Sequence, residues 1–434
     1  MNSTSCLKEF LKYASLNVMG MLGISCYILA DTFFISKGLG ANGLAALNLA
    51  IPVYSFIHGC GLMLGIGGAT KYSIYYSQEK TTNANITFTN TLCLAGVFSV
   101  IFFLLGLCFS SPITTLLGAN KEIFDMTNIY LKVILLFSPA FITNETLLGF
   151  VRNNGNPELS MIAMVSGSLA NIVFDYIFIF PCRLGIFGAV LATGFSPIFS
   201  LLILSTLKMR KLNHFHLMRI KPDFFHLRSI LSLGFPSLVT EIASGIVMIV
   251  FNMIILNLSG NVGIAAYGVI ANLALVVIAI YTGIAQGMQP LISRSYGNKN
   301  LRNTRQILRY GLCAIALLST LIYAGIYFFA EPVTAVFNSE HNSTLQKIAE
   351  LGLKLYFTGI LFAGCNIVLS IYFTSTEKPL PAHIISLFRG LVFILPLAFL
   401  LSCLWEITGV WLAFPAAEFL VMILGIGMYR KIIP

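Results

Sequence analysis

Charge is what this sequence has least of. Only 10% of its 434 residues are Asp, Glu, Lys or Arg, and 57% are hydrophobic, whereas a soluble domain carries about 25% charged residues. A chain so poor in charge cannot clothe a water-facing surface, which excludes an ordinary soluble globular protein. Acid is scarcer than base, with 16 Asp and Glu against 26 Lys and Arg. No GxxxxGK[ST] stretch occurs, so no phosphate-cradling loop and no ATP-driven step are expected on this chain. The nine cysteines include no CxxC pair, and Cys26, Cys60, Cys93, Cys313 and Cys365 fall inside apolar runs. They read as small core residues, not as a disulfide or zinc framework. The six histidines, His58, His214, His216, His226, His341 and His383, form no catalytic constellation with a nucleophile. A membrane enzyme such as an acyltransferase is therefore not expected. The first helix is expected to be retained: its apolar run starts near Tyr13 and continues past Phe34, longer than a signal-peptide core and without its small-residue cleavage site.

What the sequence has is helix-length apolar runs. Twelve recur along the chain, the first at about 13–36, the sixth at 186–207, the seventh at 233–257 and the last at 407–428. A span needs roughly 20 apolar residues, and uniform apolarity over that length points to helices in lipid. The expected fold is an all-α integral membrane protein of twelve transmembrane helices with short loops. Basic residues orient it. If the N-terminus is cytoplasmic, nineteen Lys and Arg fall in inner segments, and only Lys37, Lys121, Lys132, Arg183, Lys347 and Lys354 in outer ones. Both termini are then expected inside, in the plasma membrane. The same asymmetry accounts for the net charge of +10 without nucleic acid as a partner. The stretch from Asp223 through Leu233, opened by an N-cap candidate, reads as an interfacial helix leading into the seventh span. The expected organisation is a six-helix lobe at 1–207, a cytoplasmic linker at 208–232 and a second six-helix lobe at 233–434.

An internal repeat supports the two lobes. Gly43-Leu-Ala-Ala is matched by Gly263-Ile-Ala-Ala and Pro112-Ile-Thr by Pro332-Val-Thr, each 220 residues on; Gly188-Ala-Val is matched by Gly409-Val-Trp, 221 on. Six spans per repeat bring both in from the same side, so the repeats are parallel. Such halves can open alternately to either face of the membrane.

An ionisable side chain inside a span is costly and is a functional candidate by default. Asp31 and Asp175 each lie about five residues before the outer end of an outward-running span. Both therefore sit roughly 7–8 Å inside the outer boundary, where two carboxylates can share a site and a proton. Asn171, one turn before Asp175, shares its face and can donate to a carboxylate or coordinate an ion. Glu241 lies nearer mid-membrane and could attract a cationic substrate, as could polar Asn252 and Gln286 in the same lobe. Arg389 and Glu418 fall at comparable depths in spans eleven and twelve and read as a structural ion pair. Glu145, near the inner end of span four, either faces an inner vestibule or pairs with Arg152. The repeat counterpart of Asp31 is Phe251, with only Asn252 beside it.

Together these stretches resemble the multidrug and toxin extrusion (MATE) family, closest to its DinF-like bacterial branch. The resemblance rests on Asp31-Thr-Phe-Phe-Ile-Ser-Lys-Gly-Leu-Gly, on Asn171-Ile-Val-Phe-Asp175, on Arg152-Asn-Asn-Gly-Asn-Pro157 and on Gln286-Gly-Met-Gln-Pro290, and it covers essentially the whole chain. It implies a two-lobe antiporter, monomeric, that exports cationic amphipathic small molecules in exchange for H+ or Na+ and needs no other cofactor. It makes Asp31, Asn171 and Asp175 the ion site, with Asp31 and Asp175 as metal ligands only if Na+ is the ion. Span ten departs from members with an acid there, having Cys365-Asn366 instead. A lipid-linked oligosaccharide flippase of the same broad superfamily is the alternative; it would need a basic central cavity.

Overall fold

A left-handed backbone turn at Gly40 (φ 67°) interrupts what is otherwise one helix from Ser3 to Ser77. A straight helix of that length would reach over 100 Å, while the hydrocarbon core is about 30 Å thick. The break therefore divides it into two crossings. The computed structural model describes residues 3–209, 213–219, 223–338 and 342–432. Within them the chain is helical and contains no strand. Eight helices are long and apolar enough to cross a membrane, and the bent pair Phe124–Leu136 and Ser138–Asn153, meeting at 49°, makes a ninth crossing. Three of the eight are double-length: Ser5–Ser77, Phe224–Gly297 and Pro379–Ile432. They divide at Gly40, at Gly260 (φ 61°) and at Trp405–Glu406. The result is the twelve-span membrane protein expected. The helices outrun the apolar runs that announced them. Span one continues through the polar Ser36-Lys37-Gly38 to Gly40, so Asp31 lies nine residues before the break rather than about five before a helix end.

The backbone carries the repeat more sharply than the side chains do. Ten described residues have positive φ, and eight of them fall into four pairs. Gly40 and Gly260 are 220 apart, as are Glu79 and Lys299; Gly155 and Glu377 are 222 apart, and Gly185 and Glu406 are 221 apart. Positive φ is uncommon outside glycine, yet four of these eight are Glu or Lys. Only a duplicated architecture places such turns at a near-constant offset. The repeats are two parallel sets of six helices.

The chain packs as two compact units. One comprises residues 15–242 with 293–301, the other residues 1–14, 243–292 and 302–434. In the first, span two crosses the start of span seven at Gly67 and Gly234. A Cβ at either glycine would overlap the other helix's backbone, at Ile230 and Met63 respectively. In the second unit, span eight crosses the start of span one in the corresponding way: a Cβ on Gly287 would sit 2.7 Å from the Tyr13 carbonyl oxygen and 2.8 Å from Ala14 Cα. Gly67 and Gly287 are 220 apart, and so are Ala14 and Gly234.

The stretch 213–219 is extended and docks by its backbone. The N–H groups of His214, His216 and Met218 donate to Asn154 Oδ1 (3.0 Å), Asn85 Oδ1 (2.9 Å) and Thr89 Oγ1 (3.0 Å). Between them Phe215 is buried against Phe88, with ring centroids 4.6 Å apart, and near Phe150 and Tyr72. Asp223 then caps the next helix, accepting from the Phe225 N–H at 3.1 Å. His226 beside it, 2.6 Å away, holds the Asp223 carboxyl below its usual range. The helix runs without a break from Phe224 into span seven. Arg210, Lys211 and Lys221 of the expected linker lie outside the described residues. Phe215→Ala is expected to cost about 3 kcal/mol by emptying an aromatic socket. A lowered thermal midpoint of the detergent-solubilised protein, with earlier proteolysis of this stretch, would record it.

Candidate functional site

Three sequence candidates meet within the first unit. Asp31 on span one is 7% exposed, and Asp175 and Asn171 on span five are fully enclosed. The carboxyl groups of Asp31 and Asp175 face one another within interacting distance. With its oxygen accepting from the Thr193 N–H at 3.3 Å, the Asn171 amide donates to Asp175 Oδ2 at 3.1 Å. Tyr130 of span four lies beside Thr193 of span six, and Thr193 Oγ1 donates to the Ala189 carbonyl at 3.2 Å. One oxygen of each carboxyl, Oδ1, is buried with no hydrogen-bond partner. Two buried acceptors left open in one place are an exception to the usual satisfaction of buried polar atoms. They can take a proton or ligate a small cation.

The sequence reading missed Tyr27, Tyr130 and Thr193. Tyr27 precedes Asp31 by one helical turn and so shares its face, a signal that was present. Its hydroxyl meets that of Tyr54 at 2.9 Å, and Tyr54 stacks on His58 with centroids 5.8 Å apart. Nothing in the local sequence distinguishes Tyr130 or Thr193 from other span residues. Glu241, half-buried, is a neighbour of span two: a Cβ on Gly59 would lie 3.1 Å from Glu241 Cβ. Asn252, half-buried, and Gln286, buried, belong to the other unit. Arg152 donates to Asn17 Oδ1 at 2.6 Å, and Glu145 instead accepts from the adjacent Asn144 amide at 3.3 Å.

In the second unit Arg389 and Glu418 are ion-paired. Arg389 Nε and Nη2 reach Glu418 Oε1 at 3.0 and 2.8 Å. Asn366 donates to Glu418 Oε2 at 2.7 Å and to its backbone carbonyl at 2.8 Å. A π-helical turn at Phe388–Val392 re-aims the Arg389 position. Glu418 is 4% exposed and Arg389 12%, so neither partner can fall back on water. Arg389→Ala is expected to destabilise the protein by about 3 kcal/mol because it strands a buried carboxylate. Adding Glu418→Gln should recover much of that loss in a thermal-shift measurement.

The MatE family model matches residues 18–177 and 236–400, which is most of the chain and one match in each repeat. The chain belongs to the MatE family and is a transporter rather than an enzyme. It is 25% identical over 409 residues to the multidrug export protein MepA of Staphylococcus saprophyticus, covering 94% of this chain and 90% of that protein. The MepA of Staphylococcus aureus is likewise 25% identical over 405 residues, covering 93% and 89%. Among solved structures, the fold superposes on a multidrug resistance MATE family transporter of the MOP superfamily in an outward-facing conformation. The TM-score is 0.91 at 22% identity, over 99% of this chain and 98% of that one. It also superposes on a MOP superfamily transporter from Pyrococcus furiosus described as having a binding pocket of reverse polarity, with TM-score 0.90 at 23% identity over 99% and 98%.

Proposed function

We propose that the chain is a secondary active antiporter that exports organic cations or drugs in exchange for H+ or Na+. The observation that carries this reading is the Asp31–Asp175 pair. Two carboxyl groups facing one another can share a proton, and their two open oxygens leave room for a further proton or a Na+ ion. Such a pair changes net charge when it loads and unloads, as a coupling site must. The multidrug export activity named for the MepA relatives agrees with a permissive cationic substrate. The basic residues point to termini in the cytoplasm of a plasma membrane, and the protein acts as a monomer.

In the proposed cycle the outward-open protein takes up H+ or Na+ at Asp31 and Asp175, and the gain of positive charge favours release of a bound cation. After the two repeats rock to open inward, the ion leaves and the restored negative charge favours a new cation. Coupling arises because ion and substrate differ in affinity between the two states. The described buried arginines are already engaged, Arg389 by Glu418 and Arg152 by Asn17, which speaks against a polyanionic lipid-linked substrate. The test is ethidium efflux from proteoliposomes carrying H+ and Na+ gradients imposed separately. Efflux driven by neither gradient would sink the reading.

A further inference from the structure

The crossing of spans two and seven belongs to a longer seam, and the seam finishes on a histidine. Met63, Gly67, Lys71 and Tyr75 stand four residues apart on span two, so they form one ridge of that helix. Gly234, Ile230 and His226 form the facing ridge on the helix that enters span seven. The ridges run antiparallel. They meet at Gly234 with Met63, at Ile230 with Gly67, and at His226 with Tyr75, where the ring centroids are 6.3 Å apart. The two glycine contacts set main chain against main chain and hold nothing that changes charge. His226, at the linker end of the seam, titrates in the physiological range.

The two nitrogens of that ring stand in different surroundings. Nδ1 lies 2.6 Å from Asp223 Oδ2 and donates to it. Nε2 is buried and has no hydrogen-bond partner among the described residues. The neutral ring therefore fits the seam as it stands, whereas a second proton would put an N–H at Nε2 with nothing to accept it. The charges around the ring come from several elements. Its own helix supplies Asp223, 53% exposed, and carries exposed Arg228. Span two supplies Lys71, whose ammonium lies 5.0 Å from the Tyr75 ring centroid, and Glu79, exposed in the turn that ends the span. The end of span eight, where a Cβ on Gly297 would overlap Ser77 Oγ, brings Arg294 and Lys299 to the same end. The extended stretch turns its own histidine elsewhere: His214 is exposed and stacks on Tyr76, centroids 5.7 Å apart. An ion pair with a carboxylate as open as Asp223 contributes little. A buried N–H left unmade costs more, and Lys71 adds repulsion. The seam thus accepts the neutral ring and rejects the imidazolium.

We propose that His226 is a pH-sensitive latch: neutral, it holds the entry of span seven on span two, and protonated, it lets that entry go. The latch goes beyond the antiporter reading and takes from it only the placement of the linker in the cytoplasm. Docking prefers the neutral ring, so the latch holds fully above the range in which histidine titrates and is lost as pH falls through it. Release begins at His226 and passes to Ile230 and Gly234, because the three lie on one ridge. Parting of that ridge from Gly67 and Met63 frees the crossing. Acidification of the cytoplasm then favours the inward-open state. This response is separate from loading of Asp31 and Asp175, which belong to spans one and five and touch neither ridge.

The test is hydrogen–deuterium exchange of the full-length protein in nanodiscs, followed at the peptide 223–233. It is run at about pH 7.5 and about pH 5.5, either side of ordinary histidine titration, with rates corrected for the intrinsic pH dependence of exchange. The wild type is expected to exchange at least tenfold faster at the lower pH. His226→Gln, and His226→Phe as a second neutral variant that keeps a ring on Tyr75, should be equally protected at both. His226→Lys, charged at both, should exchange fast at both. Asp223→Asn keeps a cap but removes the carboxylate that offsets charge on the ring, so it should enlarge the acid response. Unchanged or slower exchange of the wild type at the lower pH, or an acid response that persists in both neutral variants, would overturn the latch. The measurement uses neither gradient nor substrate, so failure of the latch and failure of the antiporter reading are told apart.

Discussion

Asp31→Asn is expected to lower gradient-driven export about a hundredfold, equivalent to losing about 2.7 kcal/mol of differential binding between the two states, while leaving the protein folded. Asparagine has nearly the size of aspartate, and its amide can still donate to Asp175, so the packing at a site only 7% exposed is kept. What it removes is the ability to bind and release a proton, or to ligate Na+, at one of the two open carboxyl oxygens. The remaining Asp175, held by the Asn171 amide, would face a permanently neutral neighbour and could no longer share a proton with it. Efflux from proteoliposomes under an imposed gradient is the measurement, alongside a melting curve to show that the fold survives. Wild-type export by Asp31→Asn would remove the carboxyl pair from the coupling mechanism. Asn171→Ala should act in the same direction but less strongly, because Asp175 keeps Asp31 as a partner.

Much of this molecule could be read before its structure was known, and the limits of that reading have physical causes. Apolar runs give the number of crossings because lipid tolerates little else over helix length. They give poor ends, because a helix continues into the headgroup region wherever its hydrogen bonds still close, as at Ser36-Lys37-Gly38. An offset of 220 to 221 is visible in three short matches, whereas the backbone shows one of 220 to 222 at eight residues. Glu79 and Lys299 share a conformation but neither a side chain nor a charge, so comparison of letters passes over them. At the site, Asp31 and Asp175 stand out because charge inside a span is rare. Tyr130 and Thr193 do not, because a tyrosine and a threonine are unremarked in any span until a fold brings them to a carboxyl.

The second large effect is expected at the glycine crossing. Gly234→Val places a branched side chain where span two's backbone at Met63 already stands, and the same overlap follows from Gly67→Val against Ile230. A Cβ meeting the far end of a side chain can be relieved by a rotamer change, but here it meets main chain, so one helix must move away. Overpacking of this kind costs about 1–3 kcal/mol and sometimes more, and the cost falls on the state in which the crossing is closed. Under the proposed topology the crossing lies at the cytoplasmic face, since it joins the end of span two to the start of span seven. The variants should therefore favour the inward-open state, in which the crossing is parted, and slow export by trapping the cycle there. A single-cysteine protein retaining Cys60, which is buried near this crossing, provides the reading: maleimide labelling is expected to accelerate about tenfold or more, as a shift of about 1.4 kcal/mol in the equilibrium requires. Gly245→Val is the control, because a Cβ there meets nothing within 4 Å, and it should leave both labelling and export unchanged. Should Gly234→Val label Cys60 no faster than Gly245→Val, the crossing does not close the inner face. The same logic extends to the second unit, where Gly287 meets the Tyr13 carbonyl. Combining Gly67→Val with Gly287→Val should exceed either alone.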